Sequence, residues 1–457
     1  MRTTLAGIVL LLAGAAAAQP GFVERFKAGT AAYQARDYAR MEAEFRAALA
    51  LRPAHPTATY NLAAALALRG RADGAIETLE ALADMGLSFD PAADGDFDAL
   101  KGDRGFAGVR RAFARNDAPR GQAERVFRLR SPSFIPEGIA YDAQRGHFYV
   151  GSVHQRRIQR VLRDDSEVDF VKPDAGLWAV LGLFADRRRD LLWAATAAIP
   201  EMREAREAEL GRTAIAAYRL KSGEPVHRFV LDDGPGPHLF GDLTVLRDGT
   251  VYATDTRGGR LYALDPKAGP DAGKFRALTP PGALSSPQGL APSRDGRHLY
   301  LADYTQGLFR YTLEGGKLER LEVAKGISVY GIDGLYRHGD DLIAIQNGVR
   351  PHRVARLSLS DRGRRVRGLR VLAANLEAFD EPTLGVVVDD DFYFVANSQW
   401  NRFDREHRLP PPDRLLRPQI LRIRLEGASQ REPRTPDPSP RPAPGPALPA
   451  PCIPPLC

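Results

Sequence analysis

The feature that most constrains what this chain can fold into is a pattern that starts at residue 135 and occurs six times. Its units open on IPEGIAYD, AVLGLFAD, LFGDLTVL, SPQGLAPS, GIDGLYRH and PTLGVVVD. Each continues into a second apolar stretch (HFYVGSV, LLWAATA, TVYATDT, HLYLADY, DLIAIQN, FYFVANS) and a third (RIQRVLR, AIAAYRL, RLYALDP, GLFRYTL, RVARLSL, ILRIRLE). Short apolar runs broken by Gly, Asp and Pro read as strands. Fourth strands follow at VDFVK, HRFVL, KFRAL, LERLE and LRVLA, and the sixth unit stops after ILRIRLE. The missing strand is available as ERVFRL, residues 124–129, ahead of the first unit. Six four-stranded units closed by an N-terminal strand predict a six-bladed β-propeller, a ring in which edge strands are satisfied.

The innermost strand of each blade borders the central channel. Aligned at the mouth of that strand are Glu137, Leu181, Asp242, Gln288, Asp333 and Leu384, at spacings of 44, 61, 46, 45 and 51 residues. Three of these are carboxylates, and like charges gathered in low dielectric repel and raise one another's pKa. A hard divalent cation removes that cost, and calcium accepts carboxylate, amide and water oxygens. The spacing thus points to an axial metal site built from Glu137, Asp242, Gln288 and Asp333. The competing reading is local, since a polar residue before glycine also makes a turn.

The front of the chain has a different texture. An apolar run from Leu5 to Leu12, followed by small residues to Ala18, reads as a secretory signal peptide over 1–18 and predicts export, most simply to a bacterial periplasm. Residues 22–116 are rich in Ala, Leu, Glu and Arg with helical periodicity. Gly29 aligns with Ala63, Phe45 with Leu79 and Ala48 with Leu82, each 34 residues apart. This segment resembles about two tetratricopeptide repeats with a capping helix, which implies either a groove for a protein partner or a spacer. Residues 123–427 form the expected propeller, and 428–457 a Pro-rich tail with too few apolar side chains to build a core. The only cysteines, Cys452 and Cys457, lie in that tail, as a disulfide loop or idle thiols.

Within 123–427, PQGLAPSRDGRHLYLADYTQGLFRY and IDGL resemble the senescence marker protein, gluconolactonase and luciferin-regenerating-enzyme family, with the paraoxonases as more distant relatives. The resemblance implies a divalent metal in the channel and hydrolysis of lactones or related esters. It puts Glu137, Gln288 and Asp333 on the family's metal ligands, and Asp242 on the acidic residue of its Asn-Asp blade. The chain departs from the family at Gln288, which replaces an Asn, and at Gly241, which stands where a substrate-contacting Asn is usual.

In that chemistry the metal would polarise a carbonyl and hold water, with Asp242 or Asp333 as general base. His238, beside Asp242 in the approach loop, is the alternative base. Trp178, Tyr330 and Glu381 occupy comparable approach loops and are candidate pocket residues. No GxSxG elbow, HExxH pair or phosphate-cradling loop is present. The net charge of +7 comes from arginines scattered over the chain, so nucleic acid is not an expected partner, and no later segment reaches membrane-span length. Two functions stand open: a calcium-dependent lactonase or esterase, and a non-catalytic binding or scaffold protein that recognises a ligand or protein.

Overall fold

The computed structural model describes residues 21–173, 176–234, 236–267 and 274–425; the segment expected as a signal peptide, the Pro-rich tail and both cysteines lie outside them. Six sheets, antiparallel except where Glu322–Val323 adds parallel to the edge of blade five, make a six-bladed β-propeller. The innermost strands are Pro136–Asp142, Ala179–Asp186, Phe240–Val245, Pro287–Pro292, Ile332–His338 and Gly385–Val388. Each touches the next around the ring, and the sixth returns to the first. The ring closes as the sequence requires: Glu124–Arg128 pairs antiparallel with Gln419–Arg424 and becomes the outermost strand of blade six. Blade five is wider, because Arg120–Gly121 and Glu322–Val323 both add to its outer strand Arg365–Ala374.

Apolar residues alternate along the strands and fill the wedges between blades. Trp193, Ile215 and Phe240 join blades two and three, while Tyr300, Leu335 and Leu357 join four and five. Antiparallel order sends two kinds of loop to one end of the ring: those leading into each inner strand, and those between second and third strands. The tight hairpins emerge at the other end.

Five helices precede the ring: α1 Phe22–Gln34, α2 Tyr38–Leu51, α3 Pro56–Leu68, α4 Ala72–Asp84 and α5 Arg104–Asp117. Asp37 and Asp103 cap α2 and α5 through side-chain oxygens, which satisfies backbone donors that a helix start leaves open. The Gly29 position lets α1 press on α2, since a Cβ there would stand 2.9 Å from the Phe45 ring. The helices seat on the loop end of blades four and five. The Tyr330 hydroxyl donates to the Pro53 carbonyl at 3.1 Å, Arg52 Nη1 donates to the Thr305 carbonyl at 3.0 Å, and the Ser88 amide donates to the Arg350 carbonyl at 2.8 Å. Arg353, fully buried, reaches out of blade five to the Met85 carbonyl at 2.9 Å. Val349 of the propeller belongs to the helical core. Among the described residues no helix is long and apolar enough to cross a membrane.

Candidate functional site

The inner strands do not run smoothly past the axis. In blade one Pro136 pairs with Ser152 and Ile139 with Val150, so Glu137 and Gly138 together face one partner residue. Blades two, three, four and five carry the same irregularity, at Val180/Leu183, Phe240/Asp242, Pro287/Leu290 and Ile332/Gly334. Such a bulge re-aims a side chain. It also explains the recurring glycine: a Cβ at Gly138 would collide with the Leu181 carbonyl, and one at Gly289 would stand 2.6 Å from the Asp333 carbonyl. The polar-glycine pair marks where one blade's backbone closes on the next, rather than an isolated turn.

The register corrects one expected position. Phe240 pairs with Asp255 and Asp242 with Thr254, so the extra residue in blade three is Gly241, level with Asp333, the extra residue of blade five. Asp242 therefore lies one residue further along its strand than Glu137, Gln288 and Asp333. In LFGD the glycine precedes the acid, and a bulged strand defeats alignment by apolar alternation alone. Asp242 Oδ1 accepts the Leu243 amide at 2.8 Å and Oδ2 the Leu290 amide at 3.4 Å. It borders a channel cavity of about 390 Å³, shared with Tyr336 and reaching Arg187 and Arg337 towards the hairpin end.

Glu137, Asp333, Asp242 and Glu381 sense one another. Burial drives the Glu137 carboxyl well above its ordinary range, and the charges of Asp333, Glu381 and Asp242 push the same way. Burial lifts Asp333 to about 6, against the opposing bond from Asn347. It lifts Asp242 to about 7, against the Leu243 and Leu290 amides. Glu381 rises to about 7, again through burial, although the Asn401 amide opposes it and Asp333 adds to it. Glu381, expected as a pocket residue, thus belongs to the acid cluster. Tyr336 accepts the Gly385 amide at 2.7 Å, and burial together with the charges of Asp242, Asp333 and Glu137 keeps its phenol protonated.

Side chains the sequence did not single out hold these groups. Trp400 Nε1 donates to Glu137 Oε2 at 2.6 Å, Asn347 Nδ2 donates to Asp333 Oδ2 at 2.7 Å, and the Tyr304 hydroxyl donates to Asn347 Oδ1 at 3.0 Å. Asn347 closes the stretch DLIAIQN, and Trp400 opens the long insertion of blade six; only their position after a second strand signals them.

The other expected site residues are placed elsewhere. Gln288 turns its amide aside: Oε1 lies 3.3 Å from Thr256 Oγ1, and Nε2 donates to Ser286 Oγ at 3.2 Å. It leans over Gly241, whose missing Cβ would stand 3.3 Å from Gln288 Oε1. Trp178 does not line an open pocket; it is 3% exposed beneath the Arg228 guanidinium, 4.5 Å from the ring centre. Tyr330 is likewise unavailable, because the helical segment takes its hydroxyl and packs the His55 ring against it at a tilt. His238 Nδ1 bonds Asp255 Oδ2 at 2.6 Å, and its Nε2 is buried without a partner.

Among the described residues no group of three or more His, Cys, Asp or Glu side chains is arranged as a metal site. The chemistry of the donors is nevertheless that of a cation site. Burial and the charge of Asp333 both oppose ionisation of Glu137, and Trp400 and Asn347 occupy only one oxygen each of Glu137 and Asp333. The fit is to a pair of carboxylates, with Gln288 turned away and Asp242 deeper.

No protein-family model matches the chain, and no curated protein does. Among solved structures it is similar to a calcium-binding protein, regucalcin, from Agrobacterium tumefaciens strain C58, at 14% identity over 68% of this chain and 97% of that one, with a TM-score of 0.48. It is also similar to a luciferin-regenerating enzyme (13% identity, 67% and 95% covered, TM-score 0.47) and to a gluconolactonase from Xanthomonas campestris (14% identity, 68% and 99% covered, TM-score 0.44).

Proposed function

We propose that the chain is an exported hydrolase of the lactonase or esterase type that works at its axial carboxyls. One observation carries this reading: Asp333, Asp242 and Glu381 are held at about 6 to 7, where a buried acid both takes and returns a proton near neutral pH.

In the proposed step Asp333, oriented by Asn347, removes a proton from water as the oxygen adds to the ester carbonyl. The acyl C–O bond then breaks, and the same proton passes to the departing alkoxide oxygen, so the acid returns to its starting charge. Tyr336, whose own proton is uncommitted once its oxygen accepts the Gly385 amide, donates to the oxyanion. Asp242, at the head of the channel, or the His238–Asp255 pair is the alternative base. A divalent cation, most simply calcium, would be held by Glu137 and Asp333 and would supply Lewis-acid polarisation of the carbonyl.

Tetratricopeptide-type repeats in the helices, periplasmic location and docking of a protein partner belong to the same proposal; the 34-residue register between α1 and α3 and the apolar leader support them. The second reading, a binding protein without turnover, is favoured by Trp400, which already takes an oxygen of Glu137.

The test is a panel of lactones and aryl esters, with and without calcium, using wild type, Glu137→Gln and Asp333→Asn. Turnover that falls in both variants supports the hydrolase. Calcium binding without turnover supports the second reading, and neither overturns the site.

A further inference from the structure

Blade six carries an insertion between its second and third strands, and that insertion is closed on itself. Gln399 Nε2 donates to the Leu416 carbonyl at 2.8 Å, and the Leu416 amide donates back to Gln399 Oε1 at 2.8 Å. The segment is tied down beside the acid cluster. The Asn401 amide donates to Glu381 Oε2 at 3.0 Å, Arg402 pairs with Asp380 at 2.7 Å, and His407 bonds Glu201 at 2.8 Å. Trp400, Phe403 and Leu409 pack from this segment on a buried apolar cluster that includes Ile135, Val153, Trp178 and Leu181. Trp400 is part-exposed, whereas the surface beneath it is buried. Its indole therefore presents an apolar planar ring to an apolar wall and a single N–H to Glu137.

A buried carboxylate beside an apolar wall is an unusual place for the chain to spend one of its three tryptophans. Burying the ring requires no bond to Glu137, and a bond to Glu137 requires no ring. The two together describe a ligand. We propose that Trp400 is an internal stand-in for the substrate, and that the site takes a planar, apolar ring bearing one N–H or O–H donor, with the 399–416 segment as its lid. Resting on the hydrolase reading, this makes the substrate class an aryl-fused lactone or aryl ester with a donor on the ring side, rather than a polyhydroxylated sugar lactone. It also explains why Trp178 and Leu181 make an apolar floor next to an acid cluster.

The experiment is calorimetric binding of indole and of naphthalene, which matches the ring but lacks the donor. Trp400→Ala should bind indole about 5- to 10-fold tighter than naphthalene, the worth of one hydrogen bond to a buried acceptor oxygen. Wild type should bind neither, and the preference should vanish in Trp400→Ala/Glu137→Leu, where the wall remains and the acceptor is gone. Should Trp400→Ala fail to fold, Gln399→Ala carries the same test, because it cuts the clamp to Leu416 and leaves the indole free to lift. Equal binding of the two probes, or none by a folded variant, overturns the proposal. A turnover arm keeps the two readings apart: Trp400→Ala should gain on aryl lactones relative to aliphatic ones. If no variant hydrolyses any lactone, the hydrolase reading fails, and the ring site is judged by indole alone.

Discussion

Five blades bulge where the inner strand meets the axis, blade six starts its inner strand there without a bulge, and the six fill that level differently. Blades two and six place Leu181 and Leu384 there, both buried at 3% and 4% exposure. Blades one and five place Glu137 and Asp333, whose burial is opposed at every step by their own charge. The backbone accepts either chemistry, so the carboxylates are not what the ring needs to close. Apolar side chains at an equivalent site show what stability alone would select. The difference separates the acids, which the proposed function would use, from a glycine neighbour that serves the close packing of the blades.

The comparison breaks first on activity. Asp333→Asn should lower turnover by about 100- to 10,000-fold, the usual worth of a general base, while the same change leaves the calcium-free protein at least as stable as wild type in a thermal melt. A large loss of stability in that variant would mean that the acid holds the ring together. Next comes the architecture. Gly138→Ala drives a methyl into the Leu181 carbonyl and should cost about 2–4 kcal/mol in chemical denaturation.

The pH dependence sharpens the contrast further. Asp333 titrates higher in the folded chain than in the unfolded one, so its protonated form stabilises the fold. That contribution is complete below about pH 4 and is lost as pH rises towards 6. Without calcium, wild type should therefore lose about 2–3 kcal/mol relative to Asp333→Asn over that interval, and calcium should restore it. Leu181→Ala, at the apolar counterpart, should cost stability by a similar amount at every pH. The smallest effect belongs to the helix contact: Tyr330→Phe removes one bond to the Pro53 carbonyl, should cost about 1 kcal/mol, and should leave turnover unchanged. A matching loss of turnover would return Tyr330 to the site.

The strand recurrence made the ring legible, including its closure by residues near 124, because that pattern records a repeated burial geometry. The placement of Glu137 and Asp333 at the axis was legible for the same reason. Asp242 was misaligned by one residue, because a bulge hides its extra residue from any count of alternating positions. Tyr330 and Trp178 failed as pocket residues because what covers them, α2–α3 and the arginines Arg212 and Arg228, comes from distant parts of the chain. Trp400 and Asn347 were invisible for the converse reason. Nothing local distinguishes them, and their meaning lies wholly in which oxygen each one touches.

Calcium titrated into the metal-free protein near pH 6, in two buffers of different ionisation heat, measures directly whether Glu137 and Asp333 share one space. Acids held above their ordinary range must give up protons when a cation arrives, so about one proton should leave per calcium bound, and Glu137→Gln should abolish most of the heat. Calcium binding with no proton release, or the same heat from Glu137→Gln, would mean that the two carboxyls do not meet at the axis.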